Sequence, residues 1–247
     1  MLTGPHPAIQ FRNVSYRLNT GYELLRGLNL DVQRGETLVL LGRSGSGKTT
    51  TIKLINRLLT QSAGDIRVDG RSLPEWDVIR LRRMIGYVIQ EIGLFPHFTV
   101  ARNIGVVPQI EGWSAERIQG RVTELLQLVG LEPQLAARYP RELSGGQRQR
   151  VGVARALAAD PSFLLMDEPF GALDPITRAE LQREFLALQK RLGKTVVFVT
   201  HDLREALLLG TRVALMESGQ LITVKTPDEF VRSTESMVVA YCNAFAT

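Results

Sequence analysis

One cysteine, Cys242, is all the thiol chemistry in this chain of 247 residues. That count excludes an internal disulfide and a cysteine-rich zinc site, and it suits a reducing compartment, with the cytosol favoured. No apolar run reaches the ~18 residues that a membrane span needs, and Met1-Leu2-Thr3-Gly4-Pro5-His6-Pro7 has no signal-peptide pattern. Any membrane association is therefore expected to come through a partner. Internal repeats, low-complexity tracts and long linkers are also missing. The net charge is +5, but the basic residues are scattered rather than clustered, so nucleic acid is not an expected partner. A hydrophobic share of 44% over this length supports a substantial core at the upper end of one domain's size. One domain carrying an insertion is expected.

What the chain does have is glycine placed where phosphate can be held. Gly42-Arg43-Ser44-Gly45-Ser46-Gly47-Lys48-Thr49 fits G-x-x-x-x-G-K-[ST], after the apolar stretch Thr37-Leu38-Val39-Leu40-Leu41 and before the helical pattern opened by Thr50. Glycines let backbone N–H groups curl around phosphate oxygens, and a helix start adds partial positive charge. Lys48 would neutralise the β- and γ-phosphates, and the Thr49 hydroxyl would reach Mg²⁺. The spacing reads as a nucleoside-triphosphate cradle, with Thr50 counted among its nucleotide-contacting residues.

A second glycine-rich helix start, Leu143-Ser144-Gly145-Gly146-Gln147, has no lysine. Ser144 is a good N-cap, and Gly145 and Gly146 permit close backbone approach. The pattern suggests a second anion-receiving site, and it reads as a half-site for a nucleotide held elsewhere.

Residues 8–32 alternate apolar and polar side chains around Gly21 and Gly27, which predicts an antiparallel hairpin. Residues 64–70 read as a strand and turn, and residues 86–90 as a short strand. Residues 91–160 are helical in pattern, with breaks expected near Pro96, Pro108, Pro133 and Pro140. Two apolar runs follow: Ser162-Phe163-Leu164-Leu165-Met166, ending at Asp167-Glu168, and Thr195-Val196-Val197-Phe198-Val199-Thr200, ending at His201. Such runs predict buried parallel strands joined by a helix over residues 174–192. Ligands bind at the carboxyl ends of strands in open parallel sheets, so the acids, His201 and the phosphate loop are expected to converge.

An acid at a strand end beside a triphosphate can hold Mg²⁺, which prefers oxygen ligands. Asp167 is that candidate, and Glu168 can polarise a water for attack on the γ-phosphate. The alternative for the pair is capping of the next turn. His201 also reads as a surface or capping group, and Tyr16 as a strand aromatic packed in the core.

Taken in order, these segments resemble ATP-binding cassette (ABC) ATPases over nearly the whole chain. The resemblance implies a P-loop NTPase α/β fold (RecA-like), with an N-terminal antiparallel β-subdomain. Residues 1–90 and 161–247 would form the nucleotide-binding core and residues 91–160 an inserted helical subdomain. It implies that Ser144 to Gln147 caps ATP bound to a partner subunit, so that two copies sandwich ATP as a homodimer. His201 would contact the γ-phosphate and attacking water, Gln90 would reach Mg²⁺ and that water, and Tyr16 would stack on adenine. Gly171-Ala172-Leu173-Asp174 matches the D-loop, although serine is commoner in the family where Gly171 stands.

A finer likeness lies in the residues from Ile85 to His97 and from Asp167 to Arg178. Both segments resemble importer ATPases for glycine betaine, carnitine or choline. The implied partners are transmembrane permease subunits and, indirectly, a solute-binding protein, with the chain peripheral on the cytoplasmic face of the membrane. Leu94 and Phe95 would anchor a permease coupling helix. Some such ATPases carry paired cystathionine-β-synthase-type modules, which the residues up to Thr247 leave no room for. The rival readings are an exporter or other solute-transport subunit and a non-transport ABC protein acting on ribosomes or DNA. An unrelated kinase or GTPase leaves Leu143 to Gln147 and His201 unexplained.

Overall fold

The computed structural model describes residues 6–90 and 92–244. Residues 1–5, which hold most of the segment read for a leader, Glu91, which opens the expected insertion, and Thr247 lie outside the described residues. The chain runs β1 (Ile9–Arg17), β2 (Glu23–Val32), β3 (Thr37–Leu41), α1 (Lys48–Ile55), β4 (Ala63–Val68), β5 (Arg71–Ser72), α2 (Val78–Arg83) and β6 (Ile85–Val88). It continues through α3 (Val100–Ile110), α4 (Ala115–Leu128), α5 (Gly145–Leu157), β7 (Phe163–Asp167), α6 (Pro175–Leu192) and β8 (Thr195–Thr200). Last come α7 (Leu203–Leu209), β9 (Arg212–Glu217), β10 (Gln220–Lys225), α8 (Pro227–Val231) and α9 (Ser236–Ala244). Contacts divide the chain into two compact units, residues 1–81 with 194–247, and residues 82–193. Among the described residues no helix is long and apolar enough to cross a membrane.

In the first unit, β1 and β2 form the antiparallel hairpin expected from alternation, pairing Ile9 with Val32 and Phe11 with Leu30. The register shifts past Phe11, so strict alternation fails towards the turn. Strand β4 pairs with the other edge of β1. A second set of strands lies in the order β10, β9, β3, β8, with β3 parallel to both neighbours. Every residue of β3 and β8 is buried, which explains their unbroken apolar runs.

The start of β3 is held by charge. Arg212 donates from Nε and Nη2 to the two Glu36 carboxylate oxygens at 2.8 and 2.6 Å, and from Nη2 to the Asp31 carbonyl at 2.7 Å. Glu36 is only 9% exposed. Hydrogen bonding to Glu36 raises the Arg212 pKa above its ordinary value, so the guanidinium stays charged.

In the second unit, β6 and β7 pair in parallel, and α3, α4 and α5 occupy the stretch expected to be helical. The expectation of a break at Pro108 is corrected: α3 runs through it to Ile110. A proline forfeits its own N–H bond, here to the Ile104 carbonyl, and the helix ends two residues later, so little of it is disturbed. The other three prolines do sit outside α-helices, Pro133 and Pro140 each opening a short 3₁₀ turn.

Arg212→Ala should lower stability by about 2–4 kcal/mol, because it leaves the Glu36 carboxylate buried without its cation. Denaturant unfolding followed by circular dichroism measures this. An unchanged midpoint would show that β3 does not depend on the pair.

Candidate functional site

The first unit builds the phosphate loop from strand burial and three contacts. β3 ends at Leu41, and a Cβ at Gly42 would lie 2.2 Å from the Met216 carbonyl oxygen, so only glycine lets the chain leave the sheet there. Ser46 N–H donates to the Arg43 carbonyl at 3.2 Å, which closes the turn. Gly47, at φ 98°, is the N-cap of α1 and offers no side-chain cap to the first helical N–H groups. Lys48 is 4% exposed, and its ammonium folds back on the loop, donating to the carbonyls of Gly42 and Arg43, both at 2.8 Å. A buried cation and an uncapped helix start thus share one concave backbone, the arrangement that receives an anion. Arg43, Ser44 and Gly45 are exposed, Thr49 is half-buried and Thr50 is buried.

His201 leaves the sheet next to this loop. Leu41 and Thr200 are register partners, so Gly42 and His201 are the next residues on adjacent parallel strands. The His201 backbone is fixed on its carbonyl by the Tyr241 hydroxyl at 3.1 Å. Asp202 N–H donates to Thr200 Oγ1 at 3.0 Å, and that hydroxyl donates to the buried Glu205 at 2.6 Å. The His201 side chain is exposed. Tyr16 is half-buried rather than in the core, and pairs across β1 and β2 with Leu25. Leu25 Cδ2 in turn lies 2.4 Å from where a Gly47 Cβ would stand.

The second unit collects the acids and Gln90. Val88 pairs with Met166 in parallel register, so Gln90 and Glu168 both stand two residues beyond that last pair. Asp167 is 4% exposed and accepts a long hydrogen bond from the Tyr87 hydroxyl at 3.5 Å. Burial first, and the Asp167 charge second, push the Tyr87 hydroxyl well above the ordinary tyrosine pKa, so it remains a donor. Glu168 is half-buried and adopts φ 42°, a left-handed conformation unusual for glutamate. The next turn closes by Gly171 N–H donating to the Glu168 carbonyl at 3.1 Å. The left-handed backbone stands at the end of a buried strand, and no composition or spacing signal announces it.

The lysine-free helix start lies in the same unit. Ser144 accepts from Gln147 N–H at 3.2 Å, and Gln147 Oε1 accepts from Ser144 N–H at 2.9 Å, a reciprocal capping box on α5. Gly145 is half-exposed with room beside it, the nearest atom to an added Cβ being Leu173 Cδ2 at 3.5 Å. Gly146 is buried, and a Cβ there would meet Thr177 Cγ2 of α6 at 2.8 Å. Gly146 thus lets α5 pack closely on α6, and Gly145 stands where there is open space. Asp174 uses its carboxylate as the N-cap of α6, accepting from Ile176 and Thr177 N–H at 3.1 and 3.0 Å. Hydrogen bonding to Thr177 holds that carboxyl below the ordinary aspartate pKa.

Sequence reading missed a clamp and a groove in this unit. Fully buried Asn103 accepts from Phe95 N–H at 2.8 Å and donates to the carbonyls of Phe95, Phe98 and Thr99. It fixes the loop ahead of α3, and an asparagine inside a helical pattern gave no hint of this. Arg82, Arg83, Tyr87, Phe95, Ile110 and Arg155 border a groove of about 450 Å³. Phe95 and Ile110 are 41% and 68% exposed. Among the described residues no cluster of three His, Cys, Asp or Glu side chains is placed to hold a metal alone.

A family model described as ABC transporter matches residues 25–171. The glycine betaine/carnitine/choline transport ATP-binding protein OpuCA of Bacillus subtilis is 51% identical over 91% of this chain and 59% of its own length. The glycine betaine uptake system ATP-binding protein YehX of Escherichia coli is 53% identical over 89% of this chain and 71% of its own. The chain thus spans about three fifths of the first relative's length. Among solved structures, the dimeric post-hydrolysis state of the ATP-binding cassette MJ0796, bound to ADP and Pi, superposes with a TM-score of 0.79 and 32% identity. That likeness covers 89% of this chain and 98% of the other.

The two kinds of glycine should separate on substitution. Gly42→Ala should cost about 1–3 kcal/mol, the range for forcing a side chain into occupied space. Gly145→Ala should stay within about 1 kcal/mol of the parent in either direction, since alanine favours the helix and the space is open. Denaturation midpoints of the two variants test this, and equal losses would contradict it.

Proposed function

We propose that this chain, which belongs to the ABC transporter family, binds and hydrolyses ATP to energise import of a quaternary-amine osmoprotectant. The observation that carries the reading is Lys48 folded onto an uncapped helix start, in a chain whose second glycine-rich helix start has an open mouth at Gly145. The solute class rests on relatives named for glycine betaine, carnitine and choline transport.

The nucleotide's phosphates sit on the Gly42 to Gly47 backbone and the start of α1, with Lys48 turning from the loop carbonyls to the β- and γ-oxygens. Tyr16 stacks on the base. Thr49 in the first unit, and Gln90 and Asp167 in the second, would each offer Mg²⁺ the oxygen ligand that it prefers. When bound, it neutralises charge building on the transferred phosphoryl group. Glu168 polarises the attacking water, Gln90 orients it, and His201 steadies the γ-phosphate. Burial of Asp167 and the Tyr87 hydroxyl keep that carboxylate aimed.

Ser144 to Gln147 serve the ATP of a second copy. Because Ser144 and Gln147 cap one another, the anion meets backbone N–H groups and the helix dipole at Gly145. Two copies sandwich ATP, and Asp174 supports the mouth as the cap of α6. The helices within residues 91–160 act as the inserted subdomain, and Leu94 and Phe95 border the seat of a permease segment. This seat would hold the chain at the cytoplasmic face, beneath permease subunits fed by a solute-binding protein.

Glu168→Gln should bind ATP with near-parental affinity and lose at least about 100-fold in turnover. Equilibrium binding and phosphate release measured on the purified protein test this, and parental turnover would remove Glu168 from catalysis. In cells without redundant systems, deletion should abolish uptake of radiolabelled glycine betaine, carnitine or choline. Normal uptake of all three would overturn the solute class and leave the ATPase reading standing.

A further inference from the structure

Arg155 lies on α5, eleven residues beyond the cap Ser144, and reaches away from the glycine-rich mouth towards the turn that follows Gln90. Its two terminal nitrogens donate separately, Nη1 to the Gly93 carbonyl at 2.7 Å and Nη2 to the Ile92 carbonyl at 2.8 Å. Ile92 and Gly93 are both left-handed, at φ 61° and 56°, which turns two successive carbonyls to one guanidinium fork. Ile92 N–H donates back to the Ile89 carbonyl at 3.0 Å and closes the turn that contains Gln90. Gly152, three residues before Arg155 and so on the same face of α5, leaves room for Ile92: a Cβ there would stand 3.1 Å from Ile92 Cγ2. Among the described residues no carboxylate pairs with Arg155. Among the described residues this half-buried cation is held by two carbonyls, a costlier anchor for a loop than apolar packing. Its fork fixes the orientation of the peptide planes, which packing does not.

We propose that Arg155 is a positioning residue for Gln90: it locks the turn carrying Gln90 to the helix that opens at Ser144, so the two move as one body. The inference rests on the ATPase reading, and it adds a mechanical link within one subunit. Asn103 secures the far end of the same segment at Phe95 to Thr99, leaving Ile92 and Gly93 as the part that depends on α5. The groove bordered by Phe95, Ile110 and Arg155 meets this link directly. A partner seated there would therefore act on Gln90 and on the Ser144 mouth together.

The test compares Arg155→Lys and Arg155→Ala with the parent in the purified full chain. Lysine keeps the charge but cannot hold two carbonyls in a fork. Hydrogen–deuterium exchange should rise in peptides carrying Gln90 and Leu94, with the start of α3 unchanged. Turnover at saturating ATP should fall roughly 10- to 100-fold, the scale of a misplaced catalytic group, while KM stays near the parent's. Lysine should fail to restore it. If the alanine variant does not fold, the lysine variant decides. Parental exchange in those peptides, or parental turnover in folded Arg155→Lys, would overturn the proposal. Glu168→Gln provides the separating control, because it should abolish turnover with exchange around Gln90 unchanged. A parent protein without any turnover would instead defeat the ATPase reading, and the exchange result would still judge the link.

Discussion

Parallel register between buried strands is the constraint on which the rest of this molecule depends. In the first unit, pairing of Leu41 with Thr200 makes the phosphate loop and His201 leave the sheet side by side. In the second, pairing of Val88 with Met166 does the same for Gln90 and Glu168. Side chains alternate along a strand, so a slip by one residue would turn each set to the wrong face. Every residue of β3, β7 and β8 is buried, so a slip would misfit side chains packed on both faces. The ion pair of Glu36 and Arg212 adds a polar stop ahead of β3.

A second theme is that most polar side chains around the glycine-rich turns already have partners. Ser144 and Gln147 cap one another, Asp174 caps α6, and Lys48 rests on carbonyls of its own loop. What remains for an incoming phosphate is backbone N–H and helix dipole, with the ammonium of Lys48 beside them. Such a surface receives an anion chiefly through backbone N–H groups. Space differs among the glycines: backbone blocks a side chain at Gly42, a Cβ at Gly146 would press on Thr177, and Gly145 has room.

Much of this was legible in the sequence because the signals are local. The hairpin of β1 and β2 follows from alternation, the buried strands from unbroken apolar runs, and the start of α5 from Ser144 before two glycines. Pro108 misled because proline usually ends a helix, and the cost is small two residues from an end. The left-handed Glu168, the Asn103 clamp and the reach of Arg155 to Ile92 and Gly93 were invisible. Each depends on residues brought together by tertiary packing. Resemblance to a family supplied the order of the loops, and physics alone would have left the two phosphate-receiving helix starts unconnected.

Subunit complementation tests the central claim, that those two helix starts serve one nucleotide from two copies. Lys48→Ala disables the cradle, and Gly145→Asp places a carboxylate at the mouth. Each variant alone should hydrolyse almost no ATP. Mixed and allowed to pair, they form dimers in which one site combines an intact Lys48 loop with an intact Ser144 to Gln147 start, so turnover should reappear. A mixture as inactive as either variant alone, in dimers shown to have exchanged subunits, would contradict the shared site.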